Sequence, residues 1–339
     1  MERRNQRTSR RDGSPSALRA RQDPGLPHSR NLGVLPDRPW AWALLAAAFV
    51  VSCVGDASGQ EMEPRAYSAV PIDTNFLIAN YSRMTGSVSL DPSLPITGVK
   101  ASINTGILAY DRTFDLFGTT ASAALAVPYY NGEVSGEVFT EGKEVTRSGL
   151  GDFRLRFTDN FIGNPALSAK AFAERKPTTT AGASLTVVAP TGDYDPNNLV
   201  NIGSNRWAFR PDIGVSQPLG DWFADAAVGA WLFTDNGNFY QGHVRGQAPI
   251  VVAQTHGGYN FRPGLWLAAD VIYYSGGETT LNGVADHDAQ TVWRYGFTLS
   301  VPLTQGLSAK FAWATWLEAH NNGTYDTIGV TLQYRWFDP

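Results

Sequence analysis

Apolar and polar residues alternate along most of the chain after residue 73. The clearest run lies near the C-terminus, where one face carries Ile328, Val330, Leu332, Tyr334 and Trp336. The other face of that run carries Gly329, Thr331, Gln333 and Arg335. A period of two bounded by Gly, Pro, Asn and Asp is typical of β-strands with two different faces.

The same alternation recurs often enough to predict about 12 strands. We place them near 74–87, 98–115, 119–131, 151–161, 179–189, 205–217, 222–234, 248–260, 265–276, 290–302, 307–319 and 326–337. A strand of about 12 residues is roughly 40 Å long and, when tilted by about 40°, rises about 30 Å. That height matches the hydrocarbon core of a bilayer.

The connections between these strands alternate in length. Short turns, such as Pro218–Asp221 and Leu303–Gly306, alternate with long polar loops. The exception is 162–178, which is long although it falls on the turn side, and Leu167–Lys176 within it is predicted to form a short helix. Transmembrane barrels with an even strand number have both termini and the short turns in the periplasm.

The predicted fold is therefore all-β, a closed antiparallel up-and-down transmembrane β-barrel of about 12 strands. A soluble β-sandwich is the alternative, because it also buries one apolar face of each strand. Eight of the ten Trp residues follow residue 59, and most lie in the predicted strands. Aromatic residues on strands favour the membrane barrel, which carries aromatic girdles at both interfaces.

The first 59 residues have a different composition. Residues 1–38 contain nine Arg and no Lys and lack apolar periodicity, so we interpret them as a disordered extension. Residues 39–59 combine a positive flank, an apolar run and small residues before Gln60, which predicts a secretory signal peptide cleaved after Gly59. A buried helix and a lipoprotein anchored at Cys53 remain alternatives. Residues 60–339 would form the barrel, exported to the outer membrane of a Gram-negative bacterium.

Charge and cysteine content narrow the possible functions. Residues 1–59 hold nine of the 27 basic and five of the 31 acidic residues, so the remainder has 18 basic and 26 acidic residues and a net charge of −8. This negative charge is the opposite of what nucleic-acid binding requires, so no nucleic-acid partner is predicted. Cys53 is the single cysteine and lies in the predicted leader, which excludes disulfides, cysteine-bound metals and a catalytic thiol from the barrel.

If the apolar stripes face lipid, the opposite faces line the barrel. The charged candidates for the lumen lining are Arg154, Arg156, Arg206, Arg210, Asp212, Asp225, His256, Asp270, Arg294, Lys310 and Arg335, joined by Lys100, Gln254 and Gln333. One interpretation makes them structural cross-strand pairs, such as Arg210 with Asp225. The other makes the excess of Arg a path that attracts anions. Twelve strands fall between filled and open barrels, so we expect a narrow or partly occluded pore into which long loops fold.

Signals for catalysis, metals or cofactors are weak. After the leader, the histidines are His243, His256, His287 and His320, and no pair has the spacing of a metal site. No catalytic residue, metal ligand or cofactor is therefore predicted, and we do not expect an enzyme. An outer-membrane hydrolase, the remaining alternative, would need a Ser–His or Asp–His pair at one rim of the barrel.

Several stretches resemble a family of proposed transporters named after the meta-pathway of phenol degradation. They are Pro64–Tyr67, Asn75–Leu77, Asp91–Pro95, Tyr110–Phe117, Ser148–Phe157, Ala189–Pro196, Asn201–Trp207, Trp231–Asn236 and Gln333–Trp336. The resemblance spans residues 64–337 and implies an outer-membrane barrel that passes aromatic or other apolar compounds. It implies outer-membrane lipid and an unidentified small solute as partners. A closed structural or ligand-binding barrel without transport is the alternative function.

Overall fold

The computed structural model describes residues 63–87, 96–138, 141–198, 200–320 and 323–338. The predicted leader, residues 1–59, lies outside these ranges. The strands are β1 (Thr74–Ser87), β2 (Ile96–Leu116), β3 (Thr119–Val138), β4 (Glu141–Leu150), β5 (Phe153–Pro165), β6 (Thr180–Ala189), β7 (Ala208–Leu219), β8 (Trp222–Phe233), β9 (Asn236–Phe239), β10 (His243–Gln247), β11 (Ile250–Arg262), β12 (Leu265–Gly276), β13 (Thr279–Leu281), β14 (Val284–Ala285), β15 (Gln290–Pro302), β16 (Leu307–His320) and β17 (Thr324–Phe337). A short helix, α1 (Ala169–Ala173), and a 3₁₀ turn (Tyr240–Gly242) complete them.

Twelve of these strands form a closed ring. The hydrogen-bonded order around it is β1, β2, β3, β5, β6, β7, β8, β11, β12, β15, β16 and β17. The ring closes where β1 pairs antiparallel with β17, in a register that runs from Thr74 opposite Phe337 to Ser87 opposite Thr324. The prediction of a closed antiparallel barrel of about 12 strands is confirmed.

The barrel has a turn end and a loop end. The turn end carries the short connections 117–118, 220–221, 263–264 and 303–306, and also 166–179 with α1. Gly220 and Gly264 have φ angles of 68° and 80°, a region where a side chain would be strained. These turns are therefore tight. Helix α1 falls within the predicted stretch Leu167–Lys176, and none of the helices in the described residues is long and apolar enough to cross a membrane.

The loop end contains strands that the sequence pattern did not predict. β3 continues to Val138 and pairs with β4, so the expected loop 132–150 is a hairpin that extends one side of the barrel. β9, β10, β13 and β14 form a separate four-stranded sheet, which we call the loop sheet. These short strands lack a long alternating pattern because they lie outside the bilayer and need no lipid-facing row.

The outer face of the barrel is apolar, as predicted. In β17, Ile328, Val330, Leu332 and Tyr334 are exposed on one side, while Thr327 is buried on the other. Trp222 and Phe261 are exposed near the turn end, and Trp207 and Trp293 near the loop end. An exposed apolar belt with aromatic residues at both edges is expected of a surface that contacts lipid.

Candidate functional site

The barrel encloses a cavity of about 650 Å³. It extends from Gln305 and Gly306 at the turn end to Trp231 and Gln254, which lie closer to the loop end. This volume falls within the range of pockets that hold small molecules, about 300–1,000 Å³. The cavity is therefore the candidate site for a solute.

Charged side chains line much of this cavity. Among the described residues, the basic members are Arg65, Arg154, Arg156, Arg210, Lys310 and Arg335, and the acidic members are Glu63, Asp111 and Asp212. Six of these nine were predicted from strand alternation. Glu63 and Arg65 were missed because they precede the first strand, and Asp111 was missed because its position in β2 was not assigned to the lumen face.

Two ion pairs connect these residues. Arg156 Nη1 lies 2.5 Å from Glu63 Oε2, and Arg210 Nε lies 3.0 Å from Asp212 Oδ1 on the same strand. The predicted pair of Arg210 with Asp225 is wrong. Asp225 lies opposite Ser216 in the register of β7 and β8, six residues along the strand from Arg210.

A segment before the first strand enters the lumen. We call residues 63–73 the N-terminal segment. Its backbone N–H at Arg65 donates to Asp225 Oδ2 at 2.7 Å, and the hydroxyls of Ser68 and Ser216 lie 3.0 Å apart. Nothing in the hydrophobic pattern predicted this segment, because it forms neither helix nor strand and its contacts are polar.

Tyr67 anchors the middle of the N-terminal segment. Its ring is buried, its hydroxyl lies 3.0 Å from Ser184 Oγ, and its carbonyl accepts from Thr180 Oγ1 at 2.6 Å. Burial raises the pKa of Tyr67, so the phenol stays neutral. The ring fits against Gly214, where an added Cβ would come within 2.2 Å of it. The wall is thus shaped to accept this side chain.

Arg65 packs its guanidinium on aromatic side chains of the wall. Its Cζ lies 4.8 Å from the centroid of Phe223 and 5.8 Å from that of Trp266, and Nη1 donates to Asn260 Oδ1 at 3.0 Å. A cation over aromatic rings is favourable when water is excluded. The N-terminal segment is therefore held by side chains of several strands.

Other predicted residues lie in the wall, away from the cavity. His256 Nδ1 lies 2.7 Å from Asp270 Oδ1, and Asp270 Oδ2 accepts from Thr298 Oγ1 at 2.7 Å. Arg294 is buried, donates to Thr327 Oγ1 and stacks on Trp316. These contacts stabilise the wall across neighbouring strands.

Two predicted positions differ from their expected placement. Arg206 precedes β7 rather than lying in it, and it donates to Gln247 Oε1 at the loop end. Lys100 is exposed and shares the outer face of β2 with Leu108 and Tyr110, because it lies an even number of residues from both along an uninterrupted stretch of the strand. Lys100 is therefore not a lumen residue.

Apolar side chains fill the lumen toward the loop end. This loop-end cluster consists of Val188, Ala208, Trp231, Ile250, Val252, Ile272, Tyr274, Val292 and Ala314. The sequence contained a signal for it, since the strands near the loop end are apolar on both faces, as in Ile250–Val252. A continuous apolar run indicates a strand that is in contact with apolar groups on two sides.

The described residues contain no group of three or more His, Cys, Asp or Glu side chains that could hold a metal ion. An Asp–His pair exists, His256 with Asp270, but both residues are buried in the middle of the wall rather than at a rim. Within the described part of the chain, His256 Nε2 has no hydrogen-bond partner. A nucleophilic hydroxyl therefore does not contact this histidine.

A closed 12-strand barrel with an apolar outer belt and an internal cavity defines a β-barrel of the outer-membrane type. The chain belongs to the family described as "Putative MetA-pathway of phenol degradation", which matches residues 81–335. This assignment agrees with the resemblance carried by the sequence motifs.

The chain is similar to the solved structure of an outer-membrane channel, which shows the same fold. An outer membrane channel from Pseudomonas putida F1 is 23% identical in sequence, with a TM-score of 0.70 over 81% of this chain and 99% of that chain. The transport unit of the autotransporter AIDA-I from Escherichia coli is 9% identical, with a TM-score of 0.49 over 85% of this chain and 98% of that one. No curated protein matches the chain.

Proposed function

We propose that this protein is an outer-membrane channel for small aromatic or other apolar compounds. The observation that carries the proposal is the loop-end cluster inside the lumen, with Trp231 reaching the cavity. A pore for hydrophilic solutes has a polar interior, whereas this lumen contains an apolar cluster toward the loop end. An apolar solute leaving water is stabilised by such a surface.

The N-terminal segment acts as a removable closure in this proposal. It belongs to no strand of the ring, and polar contacts such as Arg65 N–H to Asp225 hold it. Displacement of the segment would widen the route at the turn end without breaking any strand pairing. Transport would then couple to a local rearrangement rather than to opening of the barrel.

The comparisons support this function by association. The family description refers to phenol degradation, and the Pseudomonas putida F1 protein is described as an outer membrane channel. Supply of an aromatic compound to a degradation pathway requires its passage across the outer membrane. We infer transport rather than catalysis, with residues 39–59 as the export signal and the charged residues that line the cavity, such as Arg156 and Lys310, as part of the solute path.

Intact Gram-negative cells provide the test, because their outer leaflet slows apolar solutes. Cells that produce the protein should take up the apolar fluorescent probe N-phenyl-1-naphthylamine faster than cells with an empty vector. The purified barrel should also give measurable conductance in planar bilayers. A protein that folds but changes neither probe uptake nor conductance would contradict a channel.

A closed structural barrel is the second candidate function. The ion pairs Arg156–Glu63 and Arg210–Asp212 and the N-terminal segment favour it, since they fill much of the lumen. The two candidates differ in one measurement. A closed structural barrel would fold in the membrane, but cells that produce it would take up the probe at the empty-vector rate.

A further inference from the structure

Glu63 brings a carboxylate into a cavity whose strand wall is strongly basic. Five of the basic lining residues and two of the acidic ones belong to the barrel strands, while Glu63 and Arg65 come from the N-terminal segment. The wall alone therefore has an excess of three positive charges among the described lining residues. A positive cavity with low-dielectric walls concentrates anions.

The carboxylate of Glu63 contacts one basic side chain of this wall, Arg156, and shares the cavity with a second, Lys310. Arg156 Nη1 lies 2.5 Å from Glu63 Oε2, and both side chains keep some exposure to the cavity, 27% for Arg156 and 42% for Glu63. Lys310 lines the same cavity and is close enough for the charge of Glu63 to act on it. Within the described residues, the ammonium of Lys310 makes no hydrogen bond or ion pair, so it has capacity for an acceptor.

Apolar surface lies in the same cavity as these charges. Trp231 and Ala314, both members of the loop-end cluster, contribute to its lining. A ligand with an aromatic body and one anionic group would satisfy both kinds of surface at once. A purely apolar ligand has no anionic group to offer Arg156 and Lys310.

We propose that Arg156 and Lys310 form a binding site for the carboxylate of a small aromatic acid, and that Glu63 occupies this site when no such solute is present. The inference rests on the proposed function and specifies one of its substrate classes. A carboxylate that enters the site competes with Glu63 for Arg156. Its binding removes one of the contacts that hold the N-terminal segment in the lumen.

Titration calorimetry of the purified barrel in a neutral detergent tests the site without requiring transport. The probes are benzoate and benzyl alcohol, which share the ring and differ in charge. Benzoate should bind, and Glu63→Gln should tighten its binding about tenfold, because the amide is a much weaker competitor for a guanidinium than a carboxylate. Arg156→Gln and Lys310→Gln should each weaken benzoate binding about tenfold and leave benzyl alcohol unchanged.

Glu133→Gln is the matched control. Glu133 is exposed on β3 and does not line the cavity, so its loss of charge should not alter benzoate affinity. Heat-modifiable gel mobility shows whether each variant is a folded barrel, and Glu63→Gln keeps the test informative because it changes no strand residue. The proposal is overturned if benzoate binds no better than benzyl alcohol in both wild type and Glu63→Gln, or if folded Arg156→Gln keeps wild-type benzoate affinity. Benzoate binding without probe uptake in cells would contradict the channel and leave this site intact.

Discussion

At the loop end, the lumen is filled by side chains of the barrel wall itself, whereas toward the turn end it is filled by residues that belong to no strand. The loop-end cluster is part of the strands, so Trp231 and Ile272 cannot leave without loss of the fold. The N-terminal segment crosses the lumen on hydrogen bonds and one ion pair. The first obstruction can only rearrange its side chains, while the second can move as a unit.

The free energies of the N-terminal segment are close to balance. Six hydrogen bonds or ion pairs hold Glu63–Ser68, three of them involving charged groups, and they contribute on the order of 9 kcal/mol. Burial of the Tyr67 ring adds roughly 2 kcal/mol. Ordering the backbone of these residues costs about 6–12 kcal/mol. A segment near balance can be displaced by a modest competing interaction.

The largest predicted effect comes from fixing the N-terminal segment to the wall. Ser68 and Ser216 have hydroxyl oxygens 3.0 Å apart, so cysteines at both positions are close enough for a disulfide. In a Cys53→Ser background, oxidised Ser68→Cys/Ser216→Cys barrel should transport the apolar probe at least about tenfold more slowly than the same sample after reduction, because the open state is removed. The single Ser68→Cys variant is the control and should not respond to redox state. Equal rates in both redox states would show that the segment does not gate the route.

The second prediction loosens the same segment. A methyl group at Gly214 would meet the Tyr67 ring at 2.2 Å, and such overpacking costs about 1–3 kcal/mol. A cost of 1 kcal/mol shifts the ratio of displaced to docked segment by about fivefold, so Gly214→Ala should raise bilayer conductance by about fivefold or more. Gly257→Ala is the matched control, since no atom lies within 4 Å of a Cβ at that position. Conductance that rises equally in both variants would point to the barrel rather than to Tyr67.

The third prediction concerns the loop-end cluster. Trp231→Ala should raise uptake of the apolar probe by about two- to threefold and lower barrel stability by about 3–5 kcal/mol, because it opens space within packed wall residues. Trp222→Ala removes a ring that is 60% exposed on the outer face, so it should leave probe uptake unchanged. Uptake is followed by fluorescence and stability by denaturant unfolding. Slower uptake in Trp231→Ala would mean that the loss of the indole as a binding surface outweighs the gain in space.

The smallest effect is expected in the loop sheet. Thr279 Oγ1 donates to the carboxylates of Asp286 and Asp288, and burial, with a smaller contribution from Asp288, raises the pKa of Asp286. The pKa of Asp286 in the folded protein lies above the ordinary value of about 4, so the folded turn favours the protonated carboxyl. The turn therefore loses stability as the pH rises through the folded pKa, and below about pH 4 this loss is absent. Asp286→Asn should slow hydrogen exchange of residues 279–286 by less than about twofold at neutral pH and not at acidic pH. Faster exchange at neutral pH would mean that the charge stabilises the turn.

Strand alternation predicted much of the barrel because it is a local property. β1, β12 and β15 have the predicted bounds, and β17 begins two residues before its predicted start. Lipid contact imposes the alternation on every strand, so each segment carries its own signal. The short strands of the loop sheet have no such constraint, and the sequence pattern did not reveal them.

The contents of the lumen were only partly predictable. The sequence placed Arg156, Asp212 and Lys310 on inner faces, but it could not pair them. Arg210 does not meet Asp225, because the register of β7 and β8 sets Asp225 opposite Ser216, and it contacts Asp212 on its own strand instead. A register is a relation between two strands, and it is not contained in either strand alone.

The sequence by itself determined that this chain alternates through about 12 bilayer-length strands, since the period of two and the spacing of turns are written in neighbouring residues. Only the tertiary structure decided that Glu63, Arg65 and Tyr67 return into the lumen and that the two ends are closed differently. Those contacts join residues more than 90 positions apart, such as Glu63 with Arg156 and Arg65 with Asp225. They depend on closure of the ring, which brings distant strands around one shared interior.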